Sequence, residues 1–190
     1  MQPRTASHVR RRAPALAIAS AIATTSATAL AASAIYDFEA VPVGTSYHVG
    51  DTVAASHADI DFVPFQRKNL SWHSGGLGII VESTTGEDFM DLNEISTRVR
   101  PDVDASFVRF EYRWMGGNVN LAVNGTLANV DEPVLLDDTV LGNCDVDVTK
   151  IVIPGGYRGV VTLTPHAGHD IDSFATGGVQ YSIDDVRHDW

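Results

Sequence analysis

Two adjacent carboxylates, Asp184 and Asp185, end the apolar alternation "VQYSIDDV" near the C-terminus of the sequence. Another acid, Glu39, closes an early strand-like stretch, "IYDFEA". Chain termini often lie close together, so antiparallel pairing of the first and last strands would bring these acids to one rim of a sandwich. Like charges at short range repel one another unless a proton is shared or a cation bridges them. The spacing therefore predicts a cation site at Glu39 with Asp184 or Asp185.

Calcium is the cation that such a rim favours, because it accepts about six to eight oxygen ligands at flexible geometry. The turn around Asp51 in "VGDT" would add a carboxylate and backbone carbonyls. Such an ion would tie the terminal strands together, and an affinity of about 10⁻⁴ to 10⁻³ M suffices outside a cell. In the alternative interpretation, Asp184 is a solvated strand residue, Asp185 begins a turn, and no ion binds.

A loop with the sequence "TPHAGHD" offers a second candidate metal site. His166, His169 and Asp170 carry imidazole and carboxylate groups, which zinc and copper accept. Catalytic zinc needs three protein ligands around an open position. A missing partner would come from one of three other histidines, His48, His57 or His73. The alternative is an exposed polar turn, which the sequence favours because neither an HExxH helix nor an HxH strand is found in it.

Two loops carry aromatic residues that could bind a ligand. In "SWHSGGLG", Trp72 and His73 precede a flexible pair of glycines. An exposed Trp stacks on a sugar ring, although a buried Trp is equally ordinary in a sandwich core. Tyr157, in "PGGYRG" beside Arg158, is a second aromatic of the same kind.

Signals for nucleophilic catalysis are weak in this sequence. It contains no GxSxG motif, and its single cysteine, Cys144, lies among acidic residues that would raise the pKa of the thiol. Glycoside hydrolysis needs two carboxylates at a defined separation, and so many acids are present that no pair stands out. We therefore expect a protein without enzymatic activity and without an intramolecular disulfide.

The first residues, "MQPRTASHVRRR", contain four arginines and no acid, and an Ala-rich apolar run follows. This pattern predicts a signal peptide over residues 1–34, with cleavage after "ASA" at Ala34 and "ALA" at Ala31 as the second choice. The apolar run is too short, and too poor in large apolar residues, to span a bilayer. The sequence therefore predicts a secreted protein with one domain over residues 35–190.

The composition narrows the partners of the secreted chain. The sequence has 13 Lys and Arg against 24 Asp and Glu, and removal of the four leader arginines leaves a net charge of −15. Binding a phosphate backbone or an anionic membrane needs clustered cations, so we expect neither nucleic acid nor a membrane as a partner. The 18 aspartates fit a salt-tolerant surface, calcium coordination by a few of them, or both.

Alternation with a period of two residues recurs along the chain, and helical spacing does not. In "SFVRFEYRW", Val108, Phe110 and Tyr112 fall on one face of a strand. The stretch "GGNVNLAVNG" repeats the pattern and ends in an Asn-Gly turn, and the intervening "MGGN" predicts a hairpin of the two strands. Turn clusters such as "PVG" and "TGG" separate further short strands. The sequence predicts an all-β fold, an antiparallel β-sandwich or jelly roll, with minimal helix.

Three stretches together, "YDFEAVPVGTSY", "VRFEYRWMGGNVNLAVNG" and "GGVQYSIDDV", resemble secreted bacterial jelly-roll domains of the carbohydrate-binding-module type, the galactose-binding-like sandwiches. In such modules an acid near the start and an Asp in the final strand commonly ligate a structural calcium ion. The resemblance therefore implies Glu39 and either Asp184 or Asp185 as calcium ligands. It also implies carbohydrate as the ligand.

These observations lead to one main hypothesis and two alternatives. The main hypothesis is a secreted, non-enzymatic module that binds carbohydrate or a cell-surface polymer and carries structural calcium. The first alternative is an extracellular hydrolase that depends on zinc or copper at His166, His169 and Asp170. The second is a structural or adhesive surface protein.

Overall fold

Side chains that alternate between interior and surface determine how this chain folds. The computed structural model describes residues 32–83 and 86–190, so the predicted signal peptide lies outside the described residues apart from its last three positions. The described chain is mostly β-structure, with a short 3₁₀ helix at Pro133–Leu136. No helix in this part of the chain is long and apolar enough to cross a bilayer.

The strands, in chain order, are β1 (Ser33–Tyr36), β2 (Ser46–Tyr47), β3 (Thr52–Ala55), β4 (Ala58–Gln66), β5 (Trp72–His73), β6 (Leu77–Glu82), β7 (Asp88–Asn93), β8 (Ile95–Pro101), β9 (Phe107–Trp114), β10 (Val119–Val123), β11 (Thr126–Val130), β12 (Thr139–Leu141), β13 (Cys144–Val148), β14 (Ile151–Ile153), β15 (Gly156–Pro165), β16 (Phe174–Gly178) and β17 (Tyr181–Asp189).

The strands form two antiparallel sheets. The first sheet has ten strands, with the order β12-β13-β15-β9-β17-β7-β6-β2, and β1 and β14 pair with β17 and β15. The second sheet has seven strands, with the order β11-β10-β16-β8-β4-β3, and β5 pairs with β4. Buried residues of both sheets belong to one hydrophobic cluster. The antiparallel sandwich that the sequence predicted is confirmed.

The interior is built from the buried faces of both sheets. In β9, Phe110 and Tyr112 are buried, as their alternation predicted. Phe110 stacks on Phe174 of β16 with ring centroids 5.8 Å apart and planes 6° apart, which joins the two sheets. The hydroxyl of Thr176 in β16 donates to Tyr181 Oη of β17 at 3.1 Å. This contact satisfies polar groups that would be costly to bury unpaired.

The predicted hairpin between β9 and β10 is wrong. The partners of β9 are β15 and β17 in the first sheet, whereas β10 pairs with β11 and β16 in the second. The connection through Gly116 and Gly117, at φ of 150° and 77°, crosses from one sheet to the other. Alternation reports which face of a strand is buried and not which strand lies beside it. The turn at Asn124 and Gly125 does close a hairpin, between β10 and β11.

The first and last strands lie side by side, as the sequence predicted. In this antiparallel pair, Ser33 of β1 lies opposite Asp189 of β17, and Ala34 opposite His188. Cleavage after Ala34 would therefore remove half of β1. Cleavage at the second predicted site, which precedes the described residues, would leave the strand whole.

The end of β17 buries an imidazole among aromatic rings. His188 is fully buried, and the ring centroids of Tyr36 and Trp190 lie 5.8 and 5.2 Å from its own. Burial lowers the pKa of His188 and the nearby His57 lowers it further, while neighbouring carboxylates act in the opposite direction without offsetting the shift. The imidazole therefore stays neutral to lower pH in the folded protein than in the unfolded chain.

We predict that acid weakens the fold through His188. The unfolded chain takes up a proton near pH 6.5 and the folded protein resists it, so the contribution of His188 to stability is full above that pH and is lost as the pH drops below it. The variant His188→Phe keeps a ring at this position and should lose less melting temperature between about pH 7 and pH 5. A change of ~1 kcal/mol corresponds to about 2–4 °C in a domain of this size.

Thermal unfolding measures this effect, with His169→Phe as the control, because His169 is exposed. Equal pH dependence in the parent protein and in both variants would contradict the role given to His188.

Candidate functional site

A groove of about 490 Å³ crosses the outer face of the second sheet. The residues that line it come from β4, β5, β8, β10, β11 and β16 and include Val63, Trp72, Ser96, Arg98, Asn120, Ala122, Leu127 and Ala175. Along the long strands these residues alternate with core residues, because a strand that gives one face to the interior presents the other outward. The groove is thus a product of the same alternation that builds the sandwich.

Trp72 lines this groove with 60% of its surface exposed. It lies in β5, opposite Gln66 of β4. The turn before it is closed by backbone hydrogen bonds from Arg67 N to Ser71 O and from Leu70 N to Arg67 O, both 2.9 Å long. These bonds hold the backbone that carries the exposed indole, so less conformational freedom is lost when a ligand stacks on the ring.

Glu94 anchors the two ends of the same turn. Its carboxylate accepts hydrogen bonds from Arg67 Nε at 2.9 Å and Nη2 at 2.5 Å, and it lies 3.2 Å from His73 Nε2. The hydrogen bond from Arg67 lowers the pKa of Glu94 and keeps the carboxylate ionised. His73, which the sequence predicted as a ligand-binding residue, is engaged in this ion cluster and helps to position Trp72.

The floor of the groove contains two buried polar side chains without a partner. Asn120 lies opposite Gly177, and Gly177 lies opposite Ser96, so the three form one row across β10, β16 and β8. Ser96 and Asn120 are only 2% and 3% exposed. Neither Ser96 Oγ nor Asn120 Oδ1 has a hydrogen-bond partner among the described residues. A buried polar atom left unpaired costs about 1–3 kcal/mol, so these two atoms call for a partner that the chain does not supply.

Gly177 allows β8 to approach β16 closely, because it has no side chain. A Cβ at this position would lie 2.2 Å from Ile95 O and 2.4 Å from Ser96 Oγ, which is too close for any real side chain. In the next row, the small residues Ala122 and Ala175 lie opposite each other. Backbone and small side chains therefore form the middle of the groove and leave room for a ligand.

Arg98 follows Ala175 in that second row, and its charge is already balanced. Its guanidinium donates to Asp61 Oδ2 from Nε at 3.1 Å and from Nη2 at 2.7 Å. Burial alone would raise the pKa of Asp61, but hydrogen bonds from Arg98 and Thr52, with the nearby arginine charges, outweigh burial and lower the pKa. The groove therefore carries a hydrogen-bonded ion pair and not an isolated cation at this point.

Tyr157, the other aromatic that the sequence predicted to bind a ligand, lies in β15 of the first sheet. Its ring stacks on Trp114 with centroids 5.2 Å apart, and Lys150 Nζ lies 3.7 Å from the ring centroid. Side chains of the protein thus already engage this ring. Of the three predicted ligand-binding residues, Trp72 is the one that lines the groove.

The acids of the terminal strands form a separate cluster on the first sheet. Asp184 of β17 lies directly opposite Glu111 of β9, and like charges in opposed positions destabilise a sheet. Burial raises the pKa of Asp184 to about 7. Three negative charges act in the same direction, those of Asp185, Glu111 and Glu39. Glu39 is thus close enough to influence Asp184, and Glu111 is a neighbour that the sequence could not reveal without the register.

A β-bulge accounts for the two consecutive acids in an otherwise alternating stretch. The register between β17 and β9 shifts between Asp184 and Arg187, and Asp185 adopts a left-handed conformation with φ of 46°. Asp185 N donates to Asp184 Oδ1 at 2.8 Å, which lowers the pKa of Asp184 in part. A bulge adds one residue to a strand and bends it, so both acids belong to one interrupted strand.

The predicted calcium ligands do not all converge. Glu39 Oε1 accepts a hydrogen bond from Asp88 N at 2.8 Å, and Asp51 Oδ2 accepts one from His48 N at 2.7 Å. Among the described residues, one acidic group has its ligand atoms within 4.8 Å of one another, and its members are Asp137, Asp138 and Asp147. That exposed group was not singled out in the sequence, although "LLDDTV" and "DVDV" supply it.

The histidine loop is held by contacts that a metal site would not need. His166 Nε2 lies 2.9 Å from Asp145 Oδ1, and His169 N donates to His166 O at 3.0 Å. The backbone carbonyl of Asp170 accepts a hydrogen bond from Asn124 Nδ2 at 2.8 Å. Within the described chain, these loop residues do not belong to a group of three close ligand atoms. The geometry favours the exposed polar turn.

Comparisons with known proteins add one structural neighbour. No protein-family model and no curated protein matches this chain. Among solved structures, the chain is similar to a carbohydrate-binding module, TmCBM27, which was solved to dissect its specific mannan recognition. The similarity covers 78% of this chain and 96% of that one, with 13% sequence identity and a TM-score of 0.25. A TM-score this low does not show a shared fold, and the sandwich is instead defined by the strand pairings described above.

We predict that Asp184→Asn stabilises the protein at alkaline pH when a chelator is present. The pKa of about 7 in the folded state lies above the ordinary value of 3.8, so the folded state binds more protons between these values. The contribution of Asp184 to stability therefore falls as the pH rises from about 4 to about 7, and an asparagine at this position removes that decline. The gain in melting temperature over the parent should grow across that window.

Thermal unfolding in buffers from about pH 4 to pH 8 tests this, with Asp104→Asn as a control at an exposed acid. If the difference in melting temperature between Asp184→Asn and the parent does not grow with pH, the pKa of Asp184 is not raised in the folded protein.

Proposed function

We propose that this protein is a secreted, non-enzymatic module that binds carbohydrate in the groove of the second sheet. The observation that carries the proposal is the exposed indole of Trp72, which follows a hydrogen-bonded turn and lines a groove of about 490 Å³. An indole face packs against the C–H face of a sugar ring, while polar side chains beside it bind the hydroxyls. Both kinds of contact are available in this groove.

The size and chemistry of the groove support a sugar ligand. Its volume falls in the range of about 300–1,000 Å³ that small-molecule sites occupy, with an apolar lining and a few polar groups. Val63 and Leu127 supply apolar surface, and Ser96, Asn120 and Arg98 supply polar groups. The net charge of −11 opposes a polyanionic ligand such as nucleic acid.

The observations that would favour an enzyme are weaker. Cys144 is fully buried, and burial and the charge of Asp145 raise the pKa of its thiol, which disfavours a nucleophile. His166, the first residue of the proposed zinc or copper site, is engaged with Asp145. Secretion is proposed from the leader pattern of residues 1–34, most of which lie outside the described chain.

We predict that Trp72→Ala abolishes or strongly weakens carbohydrate binding. Loss of a stacking aromatic at the centre of a site typically costs 2 kcal/mol or more, which corresponds to an affinity loss of about 30-fold. A glycan array identifies a ligand for the parent protein, and isothermal titration calorimetry then compares the variants.

Leu70→Ala is the matched control, because Leu70 is 67% exposed and belongs to the same turn but does not line the groove. If Trp72→Ala binds the ligand as well as Leu70→Ala does, the site lies elsewhere. No saturable binding on the array would favour a structural or adhesive surface protein.

We also propose a structural calcium ion at the acidic cluster of the terminal strands, held by Glu39, Asp184 and Asp185, with Glu111 as a further ligand. Burial is the main cause of the raised pKa of Asp184, and the repulsion by Asp185, Glu111 and Glu39 adds to it; that repulsion supports this proposal, because a cation would relieve it. A small rearrangement would have to bring the carboxylates together. Asp51 is the least supported of the predicted ligands, because its carboxylate accepts a hydrogen bond from the backbone of its own turn.

We predict that calcium raises the melting temperature above that in a chelator at about pH 8. A ligand that binds only the folded state at 100 times its Kd adds about 2.7 kcal/mol, which is several degrees for a domain of this size. Asp184→Asn should remove most of the shift, and Asp138→Asn, in the exposed acidic group, should not. Equal melting temperatures with calcium and with chelator would rule the ion out, and loss of the shift in Asp138→Asn alone would move it to the other cluster.

A further inference from the structure

The unpartnered atoms in the groove floor indicate which class of carbohydrate the groove accepts. We infer, on the basis of the proposed function, that the groove binds a neutral polysaccharide laid across the strands, and that Ser96 and Asn120 hydrogen-bond to its hydroxyl groups. These two side chains are nearly fully buried, lie in one row, and have no partner among the described residues. Because Ser96 Oγ and Asn120 Oδ1 are themselves buried, both side chains have to turn toward the groove when a ligand binds.

Hydroxyl groups can provide the missing hydrogen bonds of both Ser96 Oγ and Asn120 Oδ1. Asn120 Oδ1 only accepts hydrogen bonds, whereas Ser96 Oγ can donate or accept. A hydroxyl donates as well as accepts, and it serves Asn120 whichever way the amide is turned. A carboxylate or phosphate oxygen only accepts and would leave Asn120 Oδ1 unpaired. Sugars present many hydroxyls at short spacing, so one ligand can reach both side chains.

The spacing of the two side chains favours a chain of sugars over a single ring. Ser96 and Asn120 lie on strands separated by β16, which places them about 10 Å apart across the sheet. One ring cannot fill that distance, whereas two successive rings can each approach one of the side chains. The groove lining extends from β11 to β4, four strand spacings or about 19 Å, which accommodates several rings.

The charges around the groove favour a neutral polymer. Arg98, a cation in its lining, donates two hydrogen bonds to Asp61, and Arg100 Nε lies 3.0 Å from the same carboxylate. These guanidinium groups are therefore already paired, with Asp59 3.7 Å from Arg100 as a second acid. A polymer of uronic acids would also meet a chain of net charge −11, which repels it.

Binding of defined polymers tests this inference. Isothermal titration calorimetry with β-1,4-linked glucan, mannan and xylan oligosaccharides, and with a galacturonate oligomer of equal length, compares the parent with Trp72→Ala, Ser96→Ala and Asn120→Ala. Thr162→Ala, on the outer face of the first sheet, is the control. We expect the parent to bind at least one neutral oligomer more tightly than the galacturonate. Ser96→Ala and Asn120→Ala should each weaken that binding about tenfold, and Thr162→Ala should not.

Thermal unfolding separates a binding role from a structural one. Because Ser96 Oγ has no partner to lose, Ser96→Ala should melt at the same temperature as the parent or higher. If Asn120→Ala fails to fold, Ser96→Ala and the comparison of polymers still decide the matter.

The possible failures are distinguishable. Binding that depends on Trp72 but is unchanged in Ser96→Ala and Asn120→Ala would overturn the role of the floor and leave the proposed function intact. Tighter binding of the galacturonate oligomer than of every neutral oligomer would contradict the preference for a neutral polymer, but not the proposed function. No binding of any polymer by the parent would overturn the proposed function, and this inference with it.

Discussion

Burial of one face of every long strand between two sheets is the constraint on which the rest of this structure depends. In β8, Ile95, Thr97 and Val99 are buried in the interior. Ser96 and Arg98 alternate with them and line the groove. A slip of one residue in the pairing of this strand would exchange the two sets, placing a guanidinium in the core and apolar side chains in the groove. The packing of the core thus decides which residues a ligand can meet.

Sequence reasoning recovered the features that depend on local pattern. The buried face of β9, the turn at Asn124 and Gly125 and the sandwich itself follow from alternation and turn chemistry, which neighbouring residues express. Pairing between distant strands is different, because it depends on which apolar faces meet across the core. For that reason Phe110 was placed correctly on a buried face, but β9 and β10 were wrongly joined in one hairpin.

The residues of the candidate site also differ in whether a local pattern or a long-range pairing reveals them. Trp72 was recognisable because an aromatic residue beside glycines in a loop is a local signal. Asn120, Gly177 and Ser96 come from three strands, and only the register places them in one row. Glu111 is an exposed residue of β9, and only the pairing of β9 with β17 places it opposite Asp184. The sequence around each of these residues contains no signal that predicts these long-range neighbours.

The pairing of β1 with β17 bears on the order of events when the protein is made. These two strands stand near opposite ends of the described chain, so their contact closes a very long loop. Closing long loops costs entropy before any contact forms, which makes such pairings late steps. Because a chain is synthesised from its amino end, β1 stays without its partner until β17 has been made. The first sheet can therefore be completed only after almost the whole described chain is available.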